Sequence, residues 1–97
     1  MPLFAIICTD KAGALTTRLA TRPTHLDYLY SRCEVLTAGA LLDAEGRPVG
    51  SLIVVETGDL TAAKTIAAED PFAAAGVFES VSVRQWRLAI ADSRPIK

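Results

Sequence analysis

Apolar residues fall along the chain in four compact blocks, separated by two stretches where they recur every three or four positions. The first block, LFAIICT at 3–9, predicts a strand. A polar turn containing Gly13 follows. LTTRLATR at 15–22 suits a helix, but Pro23 comes next, and a proline has no N–H to donate in a helix interior. The pattern therefore predicts a short helical piece at 15–20 and a main helix over 23–33. Pro23 then sits in the first turn, Thr21 supplies the cap, and Leu26, Leu29, Tyr30 and Cys33 form the buried stripe. VLTAGALL at 35–42 and SLIVVE at 51–56 predict two strands joined by the turn-rich DAEGRPVG at 43–50. DLTAAKTIAAED at 59–70 predicts a second helix, capped by Asp59, with Leu60, Ala63, Ile66 and Ala67 on one side. Asp70 before Pro71 matches an N-cap and first helical residue, so a short helical turn starts there. VFESVSVRQWRLAI at 77–90 predicts a long fourth strand, and residues 93–97 form a polar tail.

The order βαββαβ is the ferredoxin-like arrangement: an α+β fold with a four-stranded antiparallel sheet and both helices on one face. At 97 residues it forms one domain, residues 1–97. Two helices cover only one face of such a sheet. Strands one and three nonetheless read as nearly continuous apolar runs, which expect cover on both sides. A homodimer packed through the bare sheet face accounts for them.

Composition narrows the classes. Ten Lys and Arg against eleven Asp and Glu give a balanced chain, without the basic excess of a nucleic-acid binder. Hydrophobic residues make up 51% and mean hydropathy is +0.31, which adds to the case for a second copy covering the sheet. No apolar run approaches the roughly 20 residues of a membrane helix. LFAIIC lacks a basic leader and runs into Asp10-Lys11, so it reads as a strand and not as a signal core. Cys8 and Cys33, with no secretion signal, suggest reduced thiols in a cytoplasm, both packed in the core. One histidine and no CxxC leave little for a zinc site. Neither a G-x-S-x-G elbow nor a Gly-rich phosphate loop occurs. No cofactor and no metal are expected.

The single histidine, His25, raises the chemical question. The predicted helix start is a poor place for an imidazolium, because the macrodipole is positive there. A carboxylate beside it would offset that. Asp27 lies two residues away on the helix and points elsewhere. Asp10, at the end of strand one, and Asp70, at its helical turn, are the better candidates. A carboxylate accepting from one ring nitrogen fixes the tautomer and leaves the other nitrogen as a proton acceptor. Around such a pair, Arg22 suits an anionic group and Ser51 suits a hydrogen-bond donor. Gly39 admits a close backbone approach, and Tyr28, Phe72 and Trp86 offer apolar walls. Lys11, Arg18 and Arg22 otherwise read as a solvated face or pocket rim.

Arg22-x-x-His25-Leu26, followed by Asp70-Pro71-Phe72-x-x-Ala75-Gly76, resembles the paired motif of the YciI-like (YCII-related) family, and the resemblance runs over nearly the whole chain. It implies a dimeric α+β barrel and a catalytic His25–Asp70 pair, without fixing a reaction. Two departures stand out. Ala40 follows LTAG where the family often has proline, and the 43–50 connection is short. The function expected is proton transfer, in an isomerisation or a dehydrochlorinase-like elimination on a small organic acid or aromatic substrate. The alternative is a non-catalytic dimeric module that binds a small ligand or a partner.

Overall fold

The computed structural model describes residues 1–96. Four strands, β1 (Leu3–Asp10), β2 (Val35–Leu42), β3 (Pro48–Glu56) and β4 (Phe78–Trp86), form one sheet in the order β2-β3-β1-β4. All three pairings are antiparallel. This is the ferredoxin-like α+β fold. Helices α1 (Leu15–Ser31) and α2 (Leu60–Ala68) and the short α3 (Pro71–Ala74) complete it.

The strand period of two sorts the side chains. Phe4, Ile6 and Cys8 of β1 pack with Ile53 and Val55 of β3, Leu29 of α1, and Ala63, Ile66 and Ala67 of α2. A smaller cluster joins Ala14, Phe72 and Val77. The other sheet face carries Ile7, Leu52 and Trp86, each about two-fifths exposed. Asp59 caps α2 by accepting from the Ala62 N–H. In the β2–β3 connection Asp43 accepts from the Glu45 and Arg47 backbone N–H groups, and Gly46 takes the positive φ of +81° that the turn needs. These hydrogen bonds, that from the Arg47 N–H foremost, hold the Asp43 carboxyl below its ordinary pKa.

Several expectations are corrected. α1 is one continuous helix, with Pro23 inside it and Ala14 at its N-cap, so Thr21 caps nothing. Pro23 lies on the solvent side, where water can reach the carbonyl it leaves unpaired. The helix is held by its buried stripe of Arg18, His25 and Leu29. His25 therefore stands well inside the helix, and the dipole argument from a helix start does not apply to it. Tyr30 is 81% exposed and Cys33 lies exposed beyond the helix end, so neither belongs to the core. β4 stops at Trp86. The tail is not featureless: β5 (Ile90–Ala91) pairs with β6 (Arg94–Pro95) in a small hairpin, while Lys97 lies outside the described residues. Among the described residues no helix is long and apolar enough to cross a membrane.

Candidate active site

Under α1 the chain buries two pairs of ionisable side chains. Asp10 continues the face of β1 that carries Phe4, Ile6 and Cys8 beneath the helices. The 11–14 turn, tied by the Lys11 N–H to the Val77 carbonyl at 2.8 Å, folds α1 back over that face. Arg18 then meets Asp10 as a two-pronged pair: Nε donates to Oδ2 at 2.6 Å and Nη2 to Oδ1 at 3.0 Å. Nη2 also donates to Ser51 Oγ at 2.8 Å. The two charged side chains are 4% and 5% exposed. The planar guanidinium fork suits this geometry where a lysine would not.

The second pair is His25 with Asp70. His25 Nδ1 lies 2.8 Å from Asp70 Oδ1, and the two residues are 7% and 1% exposed. The Phe72 backbone N–H donates to the same oxygen at 2.9 Å, so Asp70 is at once the cap of α3 and the partner of His25. A carboxylate can only accept here, so Nδ1 carries the hydrogen, and in the neutral ring Nε2 is the nitrogen that holds the lone pair. Asp70 Oδ2 is buried without a partner among the described residues. The imidazole stacks on the Phe72 ring, with centroids 3.8 Å apart and planes 16° from parallel, and the Arg18 guanidinium lies 4.4 Å from the centre of the same ring.

These groups border a cavity of about 130 Å³. Arg18, Arg22, His25, Ser51 and Phe72 line it, with the Ala38–Ala40 segment of β2 opposite Leu26 and Leu29. Ser51 is 1% exposed and Phe72 fully buried, so Phe72 forms the back wall behind the imidazole. Arg22 is exposed and forms no ion pair among the described residues. Gly39 borders the cavity, but a Cβ there would meet no atom within 4 Å, so crowding does not demand a glycine. Tyr28 and Trp86 lie elsewhere: Tyr28 donates its hydroxyl to the Ile66 carbonyl, and Trp86 borders a larger surface hollow with Pro2 and Ile96. That hollow contains none of the paired groups.

Sequence reasoning missed the Arg18–Asp10 pair: Asp10 was a candidate partner for His25 and instead holds Arg18. Of the two readings open for Arg18, a solvated face or a pocket rim, the structure gives the second, since Arg18 is 3% exposed and lines the cavity. A signal was present: Arg18, His25 and Leu29 fall at seven- and four-residue spacing, one helix face, once Pro23 is allowed inside the helix. Cys8 lies in the core beside these pairs. Burial first, and then the charge of Asp70, pushes its thiol up to about 12, so it keeps its proton and is no nucleophile at neutral pH. Among the described residues no three His, Cys, Asp or Glu side chains gather to hold a metal ion.

The family model for the YCII-related domain matches residues 2–87. Protein YciI of Escherichia coli is 36% identical over 94 residues, covering 88% of this chain and 96% of that protein. An uncharacterized protein of Haemophilus influenzae is 34% identical over 93 residues, covering 87% and 95%. Among solved structures, the 5-chloro-2-hydroxyhydroquinone dehydrochlorinase of Burkholderia phenoliruptrix, in complex with 2,5-dihydroxybenzoquinone, superposes with a TM-score of 0.81 at 27% identity, covering 88% of this chain and 93% of that one. A dimeric ferredoxin-like protein of unknown function from Jannaschia matches at a TM-score of 0.52 and 13% identity, covering 91% and 100%, a likeness of fold. The match to the family model across most of the sequence, together with these relatives, shows that the chain belongs to the YCII-related domain family.

Proposed function

We propose that the chain is a small cytoplasmic enzyme of lyase or isomerase type, in which His25 transfers a proton and Asp70 orients it. The reading takes the chain as one domain over residues 1–97 and as a homodimer packed through the open sheet face. The observation that carries it is the 2.8 Å His25 Nδ1–Asp70 Oδ1 bond, buried on one side and bordering a cavity on the other. The dehydrochlorinase activity of the Burkholderia relative favours elimination on a small ring or organic acid.

The steps follow from the groups at hand. Arg22 receives an anionic oxygen of the substrate, and Ser51 donates to an oxygen that gains charge. The free Nε2 of His25 takes a proton from an acidic C–H or O–H. The electron pair left behind forms the new double bond, and the leaving group departs with its own bonding pair. Asp70 holds the Nδ1–H tautomer and stabilises the imidazolium that forms. In an isomerisation the same proton returns at another atom.

Two measurements test this. Chloride release from 5-chloro-2-hydroxyhydroquinone should fall by about a hundredfold or more in His25→Gln. A parent protein that releases no chloride refutes the elimination. In Asp70→Asn the cap acceptor stays but the charge goes, so the His25 Nδ1–H proton resonance should move upfield as its bond to a charged acceptor becomes one to a neutral amide. An unchanged resonance refutes the pair. Light scattering should report a dimer at micromolar concentration, and a monomer refutes that part of the reading.

A further inference from the structure

The sheet side of the cavity is floored by unusually small residues. Ala38 pairs with Ile53 and Ala40 with Ser51, and these in turn pair with Ile6 and Cys8, which point under the helices. The methyl groups of Ala38 and Ala40 therefore face α1, while Gly39, opposite Leu52, faces the open side of the sheet. Leu26 and Leu29 form the roof. Two alanines where strands favour β-branched side chains leave a slot of about 130 Å³. A volume on the order of 150 Å³ holds one benzene-sized ring; here the slot has a polar as well as an apolar wall and opens to solvent along β2, where Ala38, Gly39 and Ala40 are exposed in the protomer.

The polar end is equally defined. Ser51 Oγ already accepts from Arg18, and no acceptor among the described residues takes its own hydroxyl proton. That proton, with the unpaired Arg22, is set to meet an anionic oxygen. We propose that the site takes oxyanions built on a single six-membered ring, and that Ala38 and Ala40 are the residues that set this size limit. The proposal rests on the reading of this cavity as the active site. It adds the ligand's dimensions and two specificity-determining residues. A homodimer formed through the opposite sheet face leaves the slot intact.

The test uses the full-length protein with benzoate as the one-ring probe and 2-naphthoate as the two-ring probe. Binding is read from the amide shifts of residues 38–40 and Ser51. Benzoate should bind the parent at least about tenfold more tightly than 2-naphthoate, as one misfitted methylene is worth about that much in an apolar pocket. Ala40→Val and Ala38→Val should weaken benzoate about tenfold or more. Leu26→Ala, which opens the roof, should bring 2-naphthoate to within about threefold of benzoate, the larger ring then finding the space that the misfit had denied it. Equal binding of the two probes by the parent, no effect of the valines on a folded variant, or no shift at residues 38–40 with benzoate overturns the proposal. Failure of the His25–Asp70 reading shows separately, as an unchanged His25 Nδ1–H resonance in Asp70→Asn with ring selection retained.

Discussion

Replacing Arg18 with Met keeps an unbranched side chain and deletes the guanidinium. Asp10, whose side chain is 5% exposed with Arg18 in place, then loses the cation that donates to both its oxygens, and among the described residues no other ion pair holds it. Stripping one partner from a buried ion pair costs about 3–5 kcal/mol, because the other charge stays desolvated. Loss of the contact with the Phe72 ring, 4.4 Å away, adds about 0.5–1 kcal/mol. The expected total, at least about 3 kcal/mol, is a large share of the roughly 5–15 kcal/mol that holds a domain folded. With a urea slope of about 1–2 kcal/mol per molar, the midpoint should fall by roughly 1.5–3 M. Circular dichroism at fixed protomer concentration reads this directly, since association would otherwise shift it. Adding Asp10→Asn removes the stranded charge and leaves an under-bonded amide worth about 1–3 kcal/mol. The double variant should therefore be about 2 kcal/mol more stable than Arg18→Met alone, by the difference between those two penalties. An Arg18→Met protein within about 1 kcal/mol of the parent, or a double variant no better than the single one, would refute the claim that this pair is buried and coupled.

Other substitutions probe the scaffold. Pro23→Ala restores an N–H to the interior of α1, worth about 3 kcal/mol in helix propensity, against about 1 kcal/mol of unfolded-state entropy; melting should rise by several degrees, and a lower melting temperature counts against a continuous helix. At Gly50 an added methyl would run into the Cys8 carbonyl oxygen, so Gly50→Ala should lower stability by about 1–3 kcal/mol, and a neutral result would mean the β1–β3 pairing is looser than described. Cys8 titrates near 12 in the folded chain against 9.0 as its ordinary value, so the folded state keeps a proton that the unfolded state gives up. Stability should be undiminished below pH 9 and then fall toward pH 12, by at most about 1.4 kcal/mol per pH unit from this group. Urea midpoints across that range should decline less steeply in Cys8→Ala, with the raised Tyr28 supplying part of what remains, and an identical slope would refute the assignment to Cys8.

What the sequence disclosed and what it hid divide along a physical line. Strand periodicity, turn chemistry and the Asp59 and Asp70 caps are set within a few residues, and their elements exist as the pattern predicts, with β3 beginning earlier, at Pro48, and β4 ending earlier, at Trp86. α1 was misread because the penalty for Pro23 is local and visible. The packing that overrides it, a stripe of Arg18, His25 and Leu29 against the sheet, exists only in the folded chain. The same misreading hid half of the site. With the helix broken at Pro23, Arg18 belonged to a separate piece and had no reason to share a face with His25. Charge concealed it further, since an arginine in a sequence reads as solvated unless its carboxylate is known. That carboxylate was available in principle: Asp10 continues the alternation of Phe4, Ile6 and Cys8, so strand geometry alone turns it under the helices. The His25–Asp70 approach is different in kind. Forty-five residues separate the two, and neither period nor propensity brings them together. Only α3, placed by the Asp70 cap and the burial of Phe72, carries that carboxylate to the imidazole. The residue that caps the turn is thus also the residue that hydrogen-bonds the histidine. Asp70→Asn, which keeps the cap and removes the charge, is therefore the substitution that separates the two roles.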